Sequence, residues 1–186
     1  VSFTRDLLET FEQQTRVKKL DLKFHTSAPE IEMWIDPKNF DKIILNLLSN
    51  ACKFTPENGQ VEISLSTGED THLPQNAPLR RYVELTVADS GIGIASTERE
   101  HIFERFYQIR NSQNNSNIGT GIGLHLTRSL VELHYGNIHV EDNGEGRPGS
   151  RFIIRLPLGN GHLKKEEIEE ATTADTRPKR FSFAAA

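Results

Sequence analysis

The sequence predicts an α/β (α+β) two-layer sandwich, in which one mixed, mostly antiparallel sheet is covered on one face by helices. Three observations lead there. Period-two stretches and helix-period stretches follow one another without strict alternation. Two alternating stretches, separated by a polar loop, read as a hairpin. At 186 residues the chain fits one domain plus a tail and can bury a core without staples.

In chain order, residues 4–19 read as a helix with Leu7, Leu8 and Phe11 on one side, an adapter leading into the domain. Residues 20–25 alternate Leu/Leu/Phe with Asp/Lys/His, a strand half exposed to water. A second short strand over 33–35 ends at Asp36-Pro37, which starts a helix because Asp caps it and Pro fits its first turn. That helix runs to about Phe54, buries Ile43, Ile44, Leu47, Leu48 and Ala51, and stops at the turn cluster from Thr55 to Gly59. Val61, Ile63 and Leu65 begin the hairpin and residues 82–87 return it, across a mobile loop over 68–78.

After Asp89 come glycines, then a short helix over 97–106. Residues 111–117 carry almost no apolar side chain and read as a flexible flap. A helix follows Gly123 with Leu126, Leu130, Val131 and Leu133 on its buried side, and Gly136 supplies its left-handed cap. Strands over 137–141 and 150–156 close the sheet around a Gly- and Asp-rich turn. Beyond Gly161 the chain is charged and apolar-poor, as a linker is, and the final three alanines read as an expression scar. There is no internal repeat.

Composition narrows the function. A net charge of −4 argues against general nucleic-acid binding, which needs a basic face. The single cysteine, Cys52, excludes an internal disulfide and sits in the apolar register of its helix, as a buried thiol in a reducing compartment does. With no membrane-length apolar run and no signal-peptide pattern, the expected compartment is the cytoplasm.

Four short stretches carry chemistry. In the helix ending at Phe54, Asn46 and Asn50 lie at i and i+4 and Lys53 follows three later, so all three project from nearly one face. A carboxamide oxygen suits Mg2+ and an ammonium suits phosphate, although the same face also fits a plain solvated surface. Asp89 to Ile94 follows a strand: a carboxylate at the base of a pocket accepts from the 6-amino group of adenine, and Gly91 and Gly93 allow close approach or positive φ. A Gly-rich turn closed by an Asx hydrogen bond fits this stretch equally. Phe103 and Phe106 read as anchors for the root of the flap. Gly119-Thr120-Gly121-Ile122-Gly123-Leu124 precedes a helix, whose N-terminal N–H groups and dipole favour an anion; its spacing is neither the Walker nor the dinucleotide pattern.

In this order the four stretches resemble the ATP-binding catalytic domain of sensor histidine kinases, within the wider group of gyrase-type, chaperone and mismatch-repair ATPases. The resemblance covers residues 1–158. It implies the Bergerat ATP-binding fold, with Asn46–Phe54 as the N box, Asp89–Ile94 and Gly119–Leu124 as the two glycine boxes, and Phe103–Phe106 as the F box. By it Asn50 holds Mg2+, assisted by Asn46, and Lys53 contacts phosphate. Phe54 lines the adenine pocket, Asp89 reads the adenine amino group, and Gly121, Gly123 and Leu124 offer backbone to the phosphates. Gly91, Gly93, Ile94, Tyr107, Gly119, Thr120 and Ile122 complete the ATP contacts, and residues 107–118 form the lid. Where many members carry a basic residue after the F-box Tyr, this chain has Gln108, which leaves Arg110 as the candidate lid cation.

The resemblance implies residues 1–19 as a junction from a dimerisation and phosphoacceptor domain, 20–158 as the catalytic domain, and 159–186 as a linker toward a receiver domain of a hybrid kinase. The acceptor histidine then lies in another domain, and His25, His72, His101, His125, His134, His139 and His162 are surface or packing residues. The implied partners are that phosphoacceptor domain and a response-regulator receiver, in a membrane-anchored homodimer. Two rivals stand beside this reading. A hydrolase of the gyrase or chaperone kind has a Glu general base where this chain has Asn46, and an amide cannot take a proton. A non-catalytic nucleotide-binding adapter is the other.

Overall fold

The computed structural model describes residues 11, 15–28, 31, 33–109, 119–144 and 146–163. Five strands form one sheet: β1 (Asp21–Thr26), β2 (Gln60–Glu69), β3 (Arg81–Asp89), β4 (Asn137–Asp142) and β5 (Ser150–Pro157), in the order β1-β2-β3-β5-β4. β1 runs parallel to β2, with Leu22 opposite Val61, and every other pairing is antiparallel. The parallel pair needs a crossover, which is helix α1 (Pro37–Phe54); helix α2 (Gly123–Leu133) connects the site to β4.

The period-two pattern of the central strands puts Val61, Ile63, Leu65, Val83, Leu85, Val87, Phe152, Ile154 and Leu156 on one face. There they meet Phe40, Ile43, Leu47 and Leu48 of α1 in a common core. The other sheet face is mostly polar, with Arg155 Nε donating to Glu84 at 2.8 Å and Ile153 its buried apolar exception. α1 starts where Asp36 accepts from Lys38 N and Pro37 occupies the first turn. It places its apolar stripe on the sheet and its amide-bearing side outward.

Several expectations change. Residues 33–35 form no strand; Met33 makes only an isolated bridge to Gly159. The loop before β3 is tied down: Arg80 donates to Leu73 O and pairs with Glu69, and Pro78–Arg80 form a 3-10 turn. The helix expected over 97–106 shrinks to turns and a 3-10 segment, His101–Phe103, which ends where Glu104 turns extended at ψ 147°; Phe106 beyond it has φ +66°. Phe106 is also no anchor: it is 61% exposed under the Arg105 guanidinium, whereas Ile102 and Phe103 are buried. α2 is rotated relative to its leucines: Thr127 and Val131 are its buried residues, while Leu126 and Leu133 face outward. The left-handed residue after α2 is Tyr135, at φ +59°, and not Gly136. Gly136 is there for space, since a Cβ would sit 2.5 Å from Arg155 O. Of the helix expected over 4–19, Thr15–Lys18 are helical; residues 1–10 and 12–14, the flap and the tail from 164 lie outside the described residues.

Candidate functional site

α1 delivers one wall. Asn46 Nδ2 donates to Thr127 Oγ1 at 2.9 Å, which fixes the amide with its oxygen toward the start of α2. A Cβ on Gly123 would lie 2.3 Å from that oxygen, so glycine lets α2 approach so closely. This polar contact also gives the reason for the rotation of α2: Thr127, and not a leucine, is what α1 meets there. One turn on, Asn50 faces the cavity with its carboxamide unpaired among the described residues. Lys53 Nζ lies 5.2 Å from the centroid of the Phe54 ring, which is half exposed and lines the same space.

Asp89, at the end of β3, forms the floor. Its Oδ1 accepts from Gly91 N at 2.8 Å and its Oδ2 from Ser150 Oγ at 2.7 Å. The Asx turn and the recessed carboxylate are therefore one feature. Burial pushes the Asp89 carboxyl above its ordinary value, and the bonds from Ser150 and Gly91 offset part of that rise. From below, Asn143 Nδ2 donates to Asp89 O at 2.6 Å and to Pro148 O at 2.7 Å. Gly149 passes so close that a Cβ would fall 1.7 Å from Asp89 O, and its φ of +100° excludes an ordinary side chain.

The second glycine block closes the far end. Phe106 N donates to Gly121 O at 2.9 Å and Gln108 Nε2 to Gly119 O at 2.6 Å, so the chain on either side of residues 110–118 is drawn together. Tyr107 donates through its hydroxyl to Glu98, which holds that hydroxyl in its protonated form, and stacks on His101 at 5.6 Å. No side chain caps α2 at Ile122, so its first N–H groups stay open to an anion.

These walls enclose a cavity of about 400 Å³, within the range of small-molecule sites. Of the residues singled out from the sequence, Asn46, Asn50, Lys53, Phe54, Asp89, Gly93, Ile94, Tyr107, Gly119, Thr120, Gly121, Gly123 and Leu124 line it. Gly91 and Ile122 do not. Gly91 packs under the cavity, where a Cβ would lie 2.5 Å from Phe54 O, and Ile122 is partly exposed outside it. Arg110 lies outside the described residues. Gln108, named from the sequence only as a departure in the lid, lines the cavity too, while sequence reasoning missed Ser150, Ile102 and Phe152, which line it, and Thr127, Asn143 and Gly149, which position its walls.

Among the described residues no group of three or more His, Cys, Asp or Glu could hold a metal, and no helix is long and apolar enough to cross a membrane. The open amide of Asn50 and the fixed oxygen of Asn46 are neutral donors. They fit a hard cation that arrives with its own phosphate ligands, not a free ion. None of the described histidines lines the cavity: His101 pairs with Glu104, and His125 and His134 bond to Phe103 O and Leu130 O.

Comparison with known proteins adds to this geometry. A family described as histidine kinase-, DNA gyrase B- and HSP90-like ATPase matches residues 35–160. Sensor histidine kinase TmoS of Ectopseudomonas mendocina is 37% identical over 155 residues, covering 83% of this chain and 15% of TmoS. The solved catalytic domain of histidine kinase ThkA aligns with a TM-score of 0.68 at 27% identity, over 84% of this chain and 91% of that one. Full-length ShkA in complex with AMPPNP aligns at 0.66 and 27% identity, over 84% of this chain and 29% of ShkA. The chain spans 11–15% of the length of three of the curated relatives it matches.

Proposed function

From the premise that the chain belongs to the histidine kinase-, DNA gyrase B- and HSP90-like ATPase family, as an ATP-binding catalytic domain of histidine-kinase type, we propose how its cavity is used. Asp89 takes the adenine amino group, and Ile94, Ile102 and Phe152 beside it supply apolar wall to the base. Phe54 lines the ring's flank. The phosphates extend toward Lys53 and the open N–H groups of α2, where an ammonium and a helix N-terminus both favour negative charge. Asn50, with Asn46, would hold Mg2+, which when bound would supply neutralisation of charge on the transferring phosphoryl group. The observation that carries the reading is how one cavity's lining is grouped: a recessed carboxylate held by Ser150 and Gly91, and, beside the second glycine block, Lys53 next to Gly119 and Asn46 next to Gly123 at the start of α2.

The acceptor we propose is a histidine on a separate dimerisation domain, with onward transfer to a response-regulator receiver. Transfer is favoured over hydrolysis by what the cavity contains. Asp89 is the one carboxylate among its described lining residues, and both its oxygens already accept protein donors at the adenine end. Asn46 stands near the phosphate end, and its amide cannot accept the proton of an attacking water. Positioning and charge neutralisation are then the domain's own contribution, and the nucleophile comes from outside. By likeness to sensor kinases, the proposal extends to a membrane-anchored homodimeric parent with this domain on the cytoplasmic side.

The test mixes the chain with labelled ATP, Mg2+ and a dimerising histidine-bearing domain of a related kinase. The expected result is acid-labile label on the added domain and none on this chain alone. Steady release of free phosphate without label on any histidine would favour the hydrolase instead.

A further inference from the structure

α1 ends inside the cavity, so whatever holds its last turn also holds Lys53 and Phe54. A helix leaves its final carbonyls without intrahelical partners, and three of the last four here find donors. Ala51 O accepts from Thr55 N at 3.0 Å and from Thr55 Oγ1 at 2.6 Å. Phe54 O packs against Gly91. The remaining two are taken by one ammonium from 34 residues upstream: Lys18 Nζ donates to Cys52 O at 2.8 Å and Lys53 O at 2.9 Å, and reaches Thr55 O at 3.2 Å. All three donors of the ammonium are thus used at the negative end of the α1 dipole.

The main chain is tied at the same place. Lys18 O accepts from Asn58 N at 3.1 Å and Asp21 N donates to Gly59 O at 2.9 Å, so the turn after α1 is stapled to the segment that enters the domain. Lys18 itself does not line the cavity. We propose that Lys18 is a positioning residue: its ammonium fixes the last turn of α1 and thereby the directions of Lys53 and Phe54, so that nucleotide affinity depends on how the chain enters the domain. A shift of the helical segment Thr15–Lys18 then withdraws the clamp and lets the cavity wall relax.

This inference rests on the nucleotide reading of the cavity, and its test separates the two. ATP affinity is measured in the intact chain for wild type, Lys18→Met, Lys18→Arg, Lys53→Met and the Lys18→Met/Lys53→Met double variant, at a temperature where all are folded. Lys18→Met is expected to weaken ATP roughly five- to twentyfold, as for charge-assisted bonds lost at a helix end. Lys18→Arg should recover most of that, and Lys18→Met should add less than about twofold once Lys53 is already gone, because coupled residues are not additive. In parallel, without nucleotide, amide exchange at Thr55 should be faster in Lys18→Met than in wild type. Unchanged ATP affinity in Lys18→Met, a full loss on top of Lys53→Met, or unchanged Thr55 exchange would each overturn the proposal. Failure of wild type to bind ATP while the exchange difference persists would instead overturn the reading of the cavity.

Discussion

Replacing Asp89 by Asn keeps its shape and changes one atom's hydrogen-bonding sense. The Asx bond from Gly91 N at 2.8 Å needs an acceptor, so the Asn oxygen must stay on that side. The new NH2 then faces Ser150 Oγ, which can reverse its hydroxyl and accept. The fold therefore keeps both side-chain bonds but gives up the backbone bond that the carboxylate accepts from Ser150 N, and the edge offered to adenine now carries a donor where the 6-amino group also donates. Loss of a hydrogen bond to a charged acceptor costs about 1.5–3 kcal/mol, or roughly 10- to 150-fold in affinity. Guanine, with an acceptor at that position, should gain relative to adenine.

Folding stability should respond through pH. Burial raises the Asp89 carboxyl, so the folded state binds its proton more tightly than the unfolded chain. That contribution is fully present below the ordinary carboxylate value and is lost as pH rises through the raised one. At neutral pH the unliganded protein carries a buried charge that Asn does not have. Asp89→Asn gives up the bond from Ser150 N but carries no buried charge, so its melting temperature without ligand should gain on that of wild type as pH rises across that window, while it binds ATP less well. Competitive titration with ATP and GTP, beside thermal melts from pH 4 to about 8, reads both. An unchanged ATP-to-GTP ratio would refute the assignment of Asp89.

Other outcomes follow from the same geometry. Ser150→Ala removes a bond that lowers the Asp89 carboxyl, so the pH at which ATP affinity falls off on acidification should move upward, seen in the pH profile of binding. Asn50→Ala should cost about 1–2 kcal/mol of ATP affinity in Mg2+ and much less in EDTA; equal losses would remove its metal role. Gly149→Ala places a methyl on the Asp89 carbonyl and should lose about 3 kcal/mol or more of stability, against about 1 kcal/mol for Gly144→Ala, which has positive φ but open space. Melting temperatures of the two separate backbone strain from collision.

The sheet, α1 and its caps were legible in the sequence because each rests on local chemistry. Alternation assigns the strands, and Asp36-Pro37 ahead of a helix-period apolar pattern marks the start of α1. The cavity's lining was legible through side chains that face it from α1 and the two glycine blocks. What escaped depends on contacts distant in sequence. Thr127 reads as an unremarkable helix residue until Asn46, 81 positions earlier, is seen to donate to it. That contact set the rotation of α2, against the leucine count. Ser150 and Gly149 look like turn residues, and only the antiparallel pairing of β5 with β3 brings them under Asp89. Phe106 misled because aromatic residues are usually buried, whereas its positive φ turns it outward. Lys18 carries no local signal, since its partners are the carbonyls of a helix beginning 19 residues later.

The most direct measurement is a calorimetric titration of the chain with Mg·ATP, followed by the same titration of Asp89→Asn and Lys53→Met. One saturable site is expected on the wild-type chain, weakened from the adenine side by the first substitution and from the phosphate side by the second. Absence of binding at millimolar nucleotide, or an isotherm indifferent to both substitutions, would contradict it.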